Sequence, residues 1–137
     1  MSHAESDSHR FAEKLRRGEV LQADCPSREI LQHMSSRWGV LVLVVLLGGT
    51  HRFSELRRKI GGVSEKMLAQ TLQRLEGDGL VQRLALPVVP PYVEYNLTPL
   101  GTQAAAKLET VVDWIEDNLP QIMDFKRGRE AQDQNSA

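Results

Sequence analysis

Lys66, Gln70 and Gln73, with Arg74 at their flank, share one face of the segment after Ser64 when successive residues are turned by about 100°. These side chains suit base edges: lysine reaches guanine acceptors, and glutamine can make a two-point bond with adenine. Ser64 and the pair Arg57 and Arg58 carry the complementary chemistry, hydrogen-bond donation and positive charge toward phosphates. A helix starting at Ser64 would add its positive end. A second chemistry centres on Cys25, which precedes Pro26 at a helix start, where the macrodipole favours a thiolate. Arg28, three residues on, adds to that pull, and Asp24 opposes it. Each reading has a plain competitor. Lys and Gln also populate solvated helix faces, and a lone cysteine also packs as a small apolar side chain. The residue types alone leave both pairs open.

Other chemistries find no support in the chain. There is no nucleotide-binding glycine loop, no Ser–His–Asp set and no paired-carboxylate signature. The four histidines, His3, His9, His33 and His51, show no metal spacing with one another or with Cys25. No enzyme, cofactor or metal is therefore expected. A single cysteine excludes an intrachain disulfide and suits a reducing cytoplasm. The start, Met1–Arg10, is polar and lacks the apolar stretch of a signal peptide. The longest apolar run, Val40–Leu47, is too short to span a bilayer.

The elements that must position these residues follow from spacing and capping. Phe11–Leu21 can form a short helix, with Phe11 and Leu15 on one face. Pro26 starts the next helix, which carries Ile30, Leu31 and Met34. Another runs from about Ser36, with Trp38 and Val40–Leu47 as its buried body, to Gly48-Gly49. His51–Phe53 can supply a short strand, after which Ser54 caps Glu55–Ile60. Gly61-Gly62 makes a turn, Ser64 caps the following helix, and Leu68, Leu72 and Leu75 form its inner face. Leu80–Leu86 and Tyr92–Leu97 read as strands joined by a loop that Pro87, Pro90 and Pro91 keep exposed. Thr98-Pro99 opens a last long helix, which Pro120 interrupts.

A short helix, a glycine turn, a capped helix and a hairpin in this order predict an α+β, mainly α, winged helix-turn-helix with flanking N- and C-terminal dimerisation helices. Such a module lays its second helix in a DNA major groove. The net charge of −1 is unevenly spread. Between His51 and Arg83 there are seven Lys/Arg against four Asp/Glu, whereas from Thr98 onward there are four against seven. The DNA-facing set is Arg52, Ser54, Arg57, Arg58, Ser64, Lys66, Met67, Gln70, Gln73, Arg74 and Arg83. Phe11, Leu15, Leu108, Val111, Val112, Ile115 and Leu119 are the candidate dimer seam, a wider apolar stripe than a small module needs for itself. Packing within the chain is the competing use of that stripe.

Six motifs in one order resemble the HxlR family of bacterial regulators, winged-helix relatives of the MarR group. They are Cys25-Pro26, Arg37-Trp38 before an apolar helix, Arg52-Phe53-Ser54-Glu55-Leu56-Arg57, Val63-Ser64-x-Lys66-Met67-Leu68, Leu75-Glu76-x-Asp78-Gly79-Leu80-Val81, and Pro90-Pro91-x-Val93-Glu94-Tyr95-x-Leu97-Thr98-x-x-Gly101. The resemblance covers about Cys25 to Leu119. It implies a homodimeric transcription factor on a pseudo-palindromic operator. It further implies that the cysteine matching Cys25 responds, in several members, to aldehydes, quinones or disulfide stress. The family commonly has a basic residue after the Pro-Pro pair, where this chain has Tyr92, and the Pro87–Tyr92 loop carries no Lys or Arg. Arg83, on the strand, is the nearest basic group in sequence, so shape-based or weaker wing contacts are expected.

The chain is thus expected to divide into an arm at 1–9, a winged helix-turn-helix domain with dimerisation helices at 10–125 (core 25–119), and a polar tail at 126–137. The expected protein is cytoplasmic and binds double-stranded DNA as a homodimer, with a small oxidant or electrophile as input and no membrane partner. The rival from another class is a winged helix that serves only protein interaction, with the acidic last helix as its contact surface.

Overall fold

The computed structural model describes residues 20–135. The arm at 1–9, Phe11 and Leu15 lie outside them, as does all but the end of the expected helix Phe11–Leu21. Helix α1 (Pro26–Ser35) starts with Pro26 at its first turn, where a missing N–H costs nothing. None of its residues is buried; Ile30 and Leu31 stay exposed, and Met34 rests half-buried on the core. Ser36 both ends α1 and caps α2 (Arg37–Leu46), accepting the Gly39 N–H at 3.1 Å and donating to the His33 carbonyl at 3.0 Å. A Cβ at Gly39 would sit 2.1 Å from that carbonyl, so this corner requires glycine.

Strand β1 (His51–Arg52) passes straight into α3 (Phe53–Lys59). Here the expectation that Ser54 caps the helix is corrected. The capping position is Arg52, and the Glu55 carboxylate reaches back to accept its backbone N–H at 2.9 Å. Helix α4 (Glu65–Gly77) follows, capped as expected by Ser64, whose hydroxyl oxygen accepts the Met67 N–H at 3.1 Å. Strands β2 (Val81–Leu86) and β3 (Tyr92–Leu97) form the hairpin, and the antiparallel sheet has the order β1-β3-β2. Its register pairs His51 with Tyr95, Arg52 with Glu94 and Arg83 with Tyr95.

The core joins Val42, Leu43 and Leu46 of α2, Leu56 and Ile60, Leu68, Leu72 and Leu75 of α4, Leu80, Val81, Tyr95 and Ala105. Helix α5 (Pro99–Asn135) is clamped to it by its first turn. The Thr98 hydroxyl donates to the Gly79 carbonyl at 2.6 Å and accepts the Gly101 N–H at 2.9 Å. A Cβ on Gly101 would lie 1.8 Å from the Leu80 carbonyl oxygen, so only glycine allows this approach. Gly101→Ala should therefore push α5 off β2 and cost about 1–3 kcal/mol of overpacking strain. Urea unfolding measures it, and an unchanged midpoint would contradict the clamp.

One further expectation needs correction. Pro120 does not interrupt α5, which runs 37 residues to Asn135 and includes most of the polar segment from Lys126. Around Pro120 the helix is exposed, so water can satisfy the Glu116 carbonyl that loses its donor. Among the described residues, no helix is long and apolar enough to cross a membrane.

Candidate nucleic-acid interface

Burial of Leu68, Thr71, Leu72 and Leu75 fixes the rotation of α4, and the opposite face follows from it. Ser64, Lys66, Gln73 and Arg74 are exposed there, with Gln70 half-buried between them. Met67, expected in the DNA-facing set, instead packs half-buried on the core at the edge of that face. The flanks differ. Gln73 and Arg83 line an open cleft of about 530 Å³ between α4 and the wing, floored by Leu72 and Tyr95. Arg74 looks the other way, into a polar cleft of about 550 Å³ shared with Arg28, Gln32 and His33 of α1. Lys66 and Gln70 therefore hold the middle of the face, and Arg74 sits beside α1 rather than with them.

Arg57 and Arg58 are exposed in the last turn of α3, and Ser54 is exposed in its first. Lys59, which sequence reasoning passed over, donates through Nζ to His51 Nε2 at 2.7 Å. His51 Nδ1 is 2.7 Å from the Gly49 carbonyl, which requires the proton on Nδ1 and leaves Nε2 to accept from Lys59. This buried histidine ties the end of α3 to the strand that carries the wing. The Arg52 N–H donated to Glu55 holds that carboxyl below its ordinary value; desolvation opposes the shift, and the Arg58 and Lys59 charges reinforce it. Its contribution to the start of α3 is present at neutral pH and is lost as pH falls below the ordinary carboxylate range.

Cys25 stands half-buried at the N-cap of α1, and its side chain makes no capping bond. Arg28 is engaged elsewhere, donating from Nη1 to the Leu21 carbonyl at 3.0 Å. At the far end of the same helix, His33 Nδ1 lies 2.7 Å from Asp78 Oδ2, with both side chains about 15% exposed. Asp78 caps the C-terminus of α4, so one polar pair fastens the cysteine-bearing helix to the end of the candidate reading helix. No sequence signal marks it, because the partners lie 45 residues apart.

Of the expected dimer seam, Leu108 packs half-buried on the core of its own chain. Val111, Ile115 and Leu119 are exposed, Val112 is half-exposed, and Trp114, Met123 and Phe125 extend the apolar exposure along α5. Among the described residues, no group of three or more His, Cys, Asp or Glu side chains could hold a metal ion.

Known proteins resemble this chain in sequence and arrangement. An uncharacterized helix-turn-helix-type transcriptional regulator of Escherichia coli strain K12, YtfH, is 59% identical over 121 residues, 88% of this chain and 96% of that one. The solved structure of YtfH from Salmonella typhimurium, with 61% identity, superposes with a TM-score of 0.75 over 79% of this chain and 96% of its own. The redox regulator HypR in its reduced form superposes with a TM-score of 0.66 at 30% identity, over 72% of this chain and 98% of that one. The family described as HxlR-like helix-turn-helix matches residues 33–123. With its capped reading helix, three-stranded wing and matching relatives, the chain belongs to the HxlR-like helix-turn-helix family of transcriptional regulators.

Proposed function

We propose that the protein regulates transcription from the cytoplasm as a two-fold dimer on a pseudo-palindromic operator, with modification of Cys25 as its input. The observation that carries the DNA reading is the polar face of α4, where Lys66 and Gln70 stand opposite Leu68, Leu72 and Leu75. In this reading Lys66, Gln70 and Gln73 address base edges. Ser64, whose oxygen is occupied as a cap but whose O–H remains able to donate, joins Ser54, Arg57, Arg58 and Arg74 on phosphates. Arg83 supports the wing side of the groove.

Phosphate contacts are read by salt. Arg57→Ala or Arg58→Ala should weaken binding to all sequences alike and lower the slope of log affinity against log salt by about one per contact. Titration of labelled duplex at several salt concentrations checks this. A winged helix confined to protein partners would show no salt-dependent DNA binding at all.

Dimerisation is supported by α5, which has no buried residue beyond Ala105 yet carries an exposed row from Val111 to Phe125. A helix of this length gains most of its stability by burying an apolar face, and the described residues offer it none there.

Cys25 lies at the free end of α1, while His33 and Asp78 fasten the other end to α4. A modified thiol that displaces α1 would thus pull on the reading helix. HypR, a structural relative, is itself a redox regulator. The products open to a single cysteine are a sulfenic acid, an adduct with a small thiol, or a bridge between subunits. In the last, two thiols yield two electrons and two protons to the oxidant and form one S–S bond. Cys25→Ser should bind operator as wild type does and keep that affinity after diamide, while treated wild type loses it. Identical responses of the two proteins would reduce Cys25 to a packing residue.

A further inference from the structure

The outer face of the sheet carries an arrangement that the reading helix does not use. Strand register sets Arg52 directly across from Glu94, and Tyr92 lies two residues before Glu94 on the same face. That register would ordinarily pair the guanidinium with the carboxylate. Instead the guanidinium carbon of Arg52 lies 4.2 Å from the centroid of the Tyr92 ring, well inside cation–π range. Hydrogen bonding toward Glu94 raises the Tyr92 phenol above its ordinary value; desolvation and the Glu94 charge add to this, and Arg52 opposes it. Among the described residues, no carboxylate forms an ion pair with Arg52. Its guanidinium therefore rests over a ring with no carboxylate partner, an arrangement that leaves it able to bind a phosphate.

The loop at the tip of the wing lacks such a group, and Arg83 on β2 lines the cleft beside α4 instead. Residues 87–91 contain no Lys or Arg, and Leu86, Val88 and Val89 are exposed apolar side chains. We infer that Arg52, stacked on Tyr92, is the wing's contact with a DNA phosphate. Tyr92 is then a positioning residue, the platform on which the guanidinium rests. This inference rests on the DNA-binding reading above and deepens it, because it moves the wing's cation from the loop to the neighbouring strand.

Full-length variants titrated with one operator duplex across a salt series provide the test. Arg52→Gln, close in length and neutral, should lower the salt slope by about one and weaken specific and random DNA alike. Tyr92→Leu removes the platform and should also weaken binding. Tyr92→Phe keeps the ring and should bind with the wild-type salt slope, whereas Tyr92→Leu should lower the slope as Arg52→Gln does. A purely structural role for Tyr92 would not lower the slope. An Arg52→Gln protein with the wild-type slope overturns the wing contact while leaving the DNA reading intact. A Tyr92→Phe protein as weak as Tyr92→Leu, or a Tyr92→Leu protein with the wild-type slope, overturns the platform. A wild-type protein that binds no DNA brings down the inference together with the reading beneath it.

Discussion

Ile115→Glu is expected to turn the protein into a monomer and to remove most of its operator affinity. Ile115 lies in the middle of the exposed row on α5, 42% exposed in the single chain, with Val111 and Leu119 four residues to either side. In a two-fold seam the same substitution appears twice, once from each subunit. Each carboxylate must then be desolvated against aliphatic neighbours or force the seam apart, at a cost of about 3 kcal/mol or more. That is roughly a hundredfold in the dimer dissociation constant. Folding should be unaffected, because no residue of α5 beyond Leu108 packs against the core. Sedimentation of wild type and variant at micromolar concentration checks this directly. A wild type that already sediments as a monomer would contradict the seam.

The second large effect belongs to the reading face. Gln70→Ala should cost about 1–3 kcal/mol at one operator position if its amide pairs with adenine, and Lys66→Ala should add a comparable loss at its own contact. Together they should bring operator affinity close to that for random DNA, which depends mainly on phosphate contacts and should fall far less. Both side chains project from the face opposite the buried leucines, so the fold should survive. A double variant that keeps its preference for operator over random DNA would show that another face of the domain does the reading.

Capping and periodicity made much of this legible. Ser64 capped its helix as its position before Glu65 foretells, and Leu68, Leu72 and Leu75 at spacings of four and three turned inward. Pro26 and Thr98-Pro99 likewise marked true helix starts. Ser54 misled because cap preference is local, whereas Arg52 is committed to β1 by pairing with Glu94. The helix can only begin after that strand, and Glu55 then supplies the reciprocal bond. Pro120 misled in a similar way. A proline breaks a helix where the lost bond cannot be replaced, and an exposed helix replaces it with solvent.

The pairings between distant residues were not legible. Arg52 with Tyr92, His33 with Asp78 and Lys59 with His51 each join different elements. Periodicity assigns a residue to a face but says nothing about which element that face will meet. The wing shows the consequence. Read along the chain, Tyr92 looked like the loss of a basic contact, with Arg83 as its nearest substitute. Across the sheet, Arg83 lines the cleft beside α4, and Arg52 is the cation over the ring.

The central claim is that two copies of α4 enter successive major grooves of one duplex. Hydroxyl-radical footprinting of wild-type protein on DNA selected from a random pool tests it most directly. A pseudo-palindromic consensus is expected, with two protected half-sites centred about one helical turn apart, or a multiple of it, each lost with Lys66→Ala and Gln70→Ala. A pool that yields no consensus, or a single protected block on a site without two-fold symmetry, would contradict it.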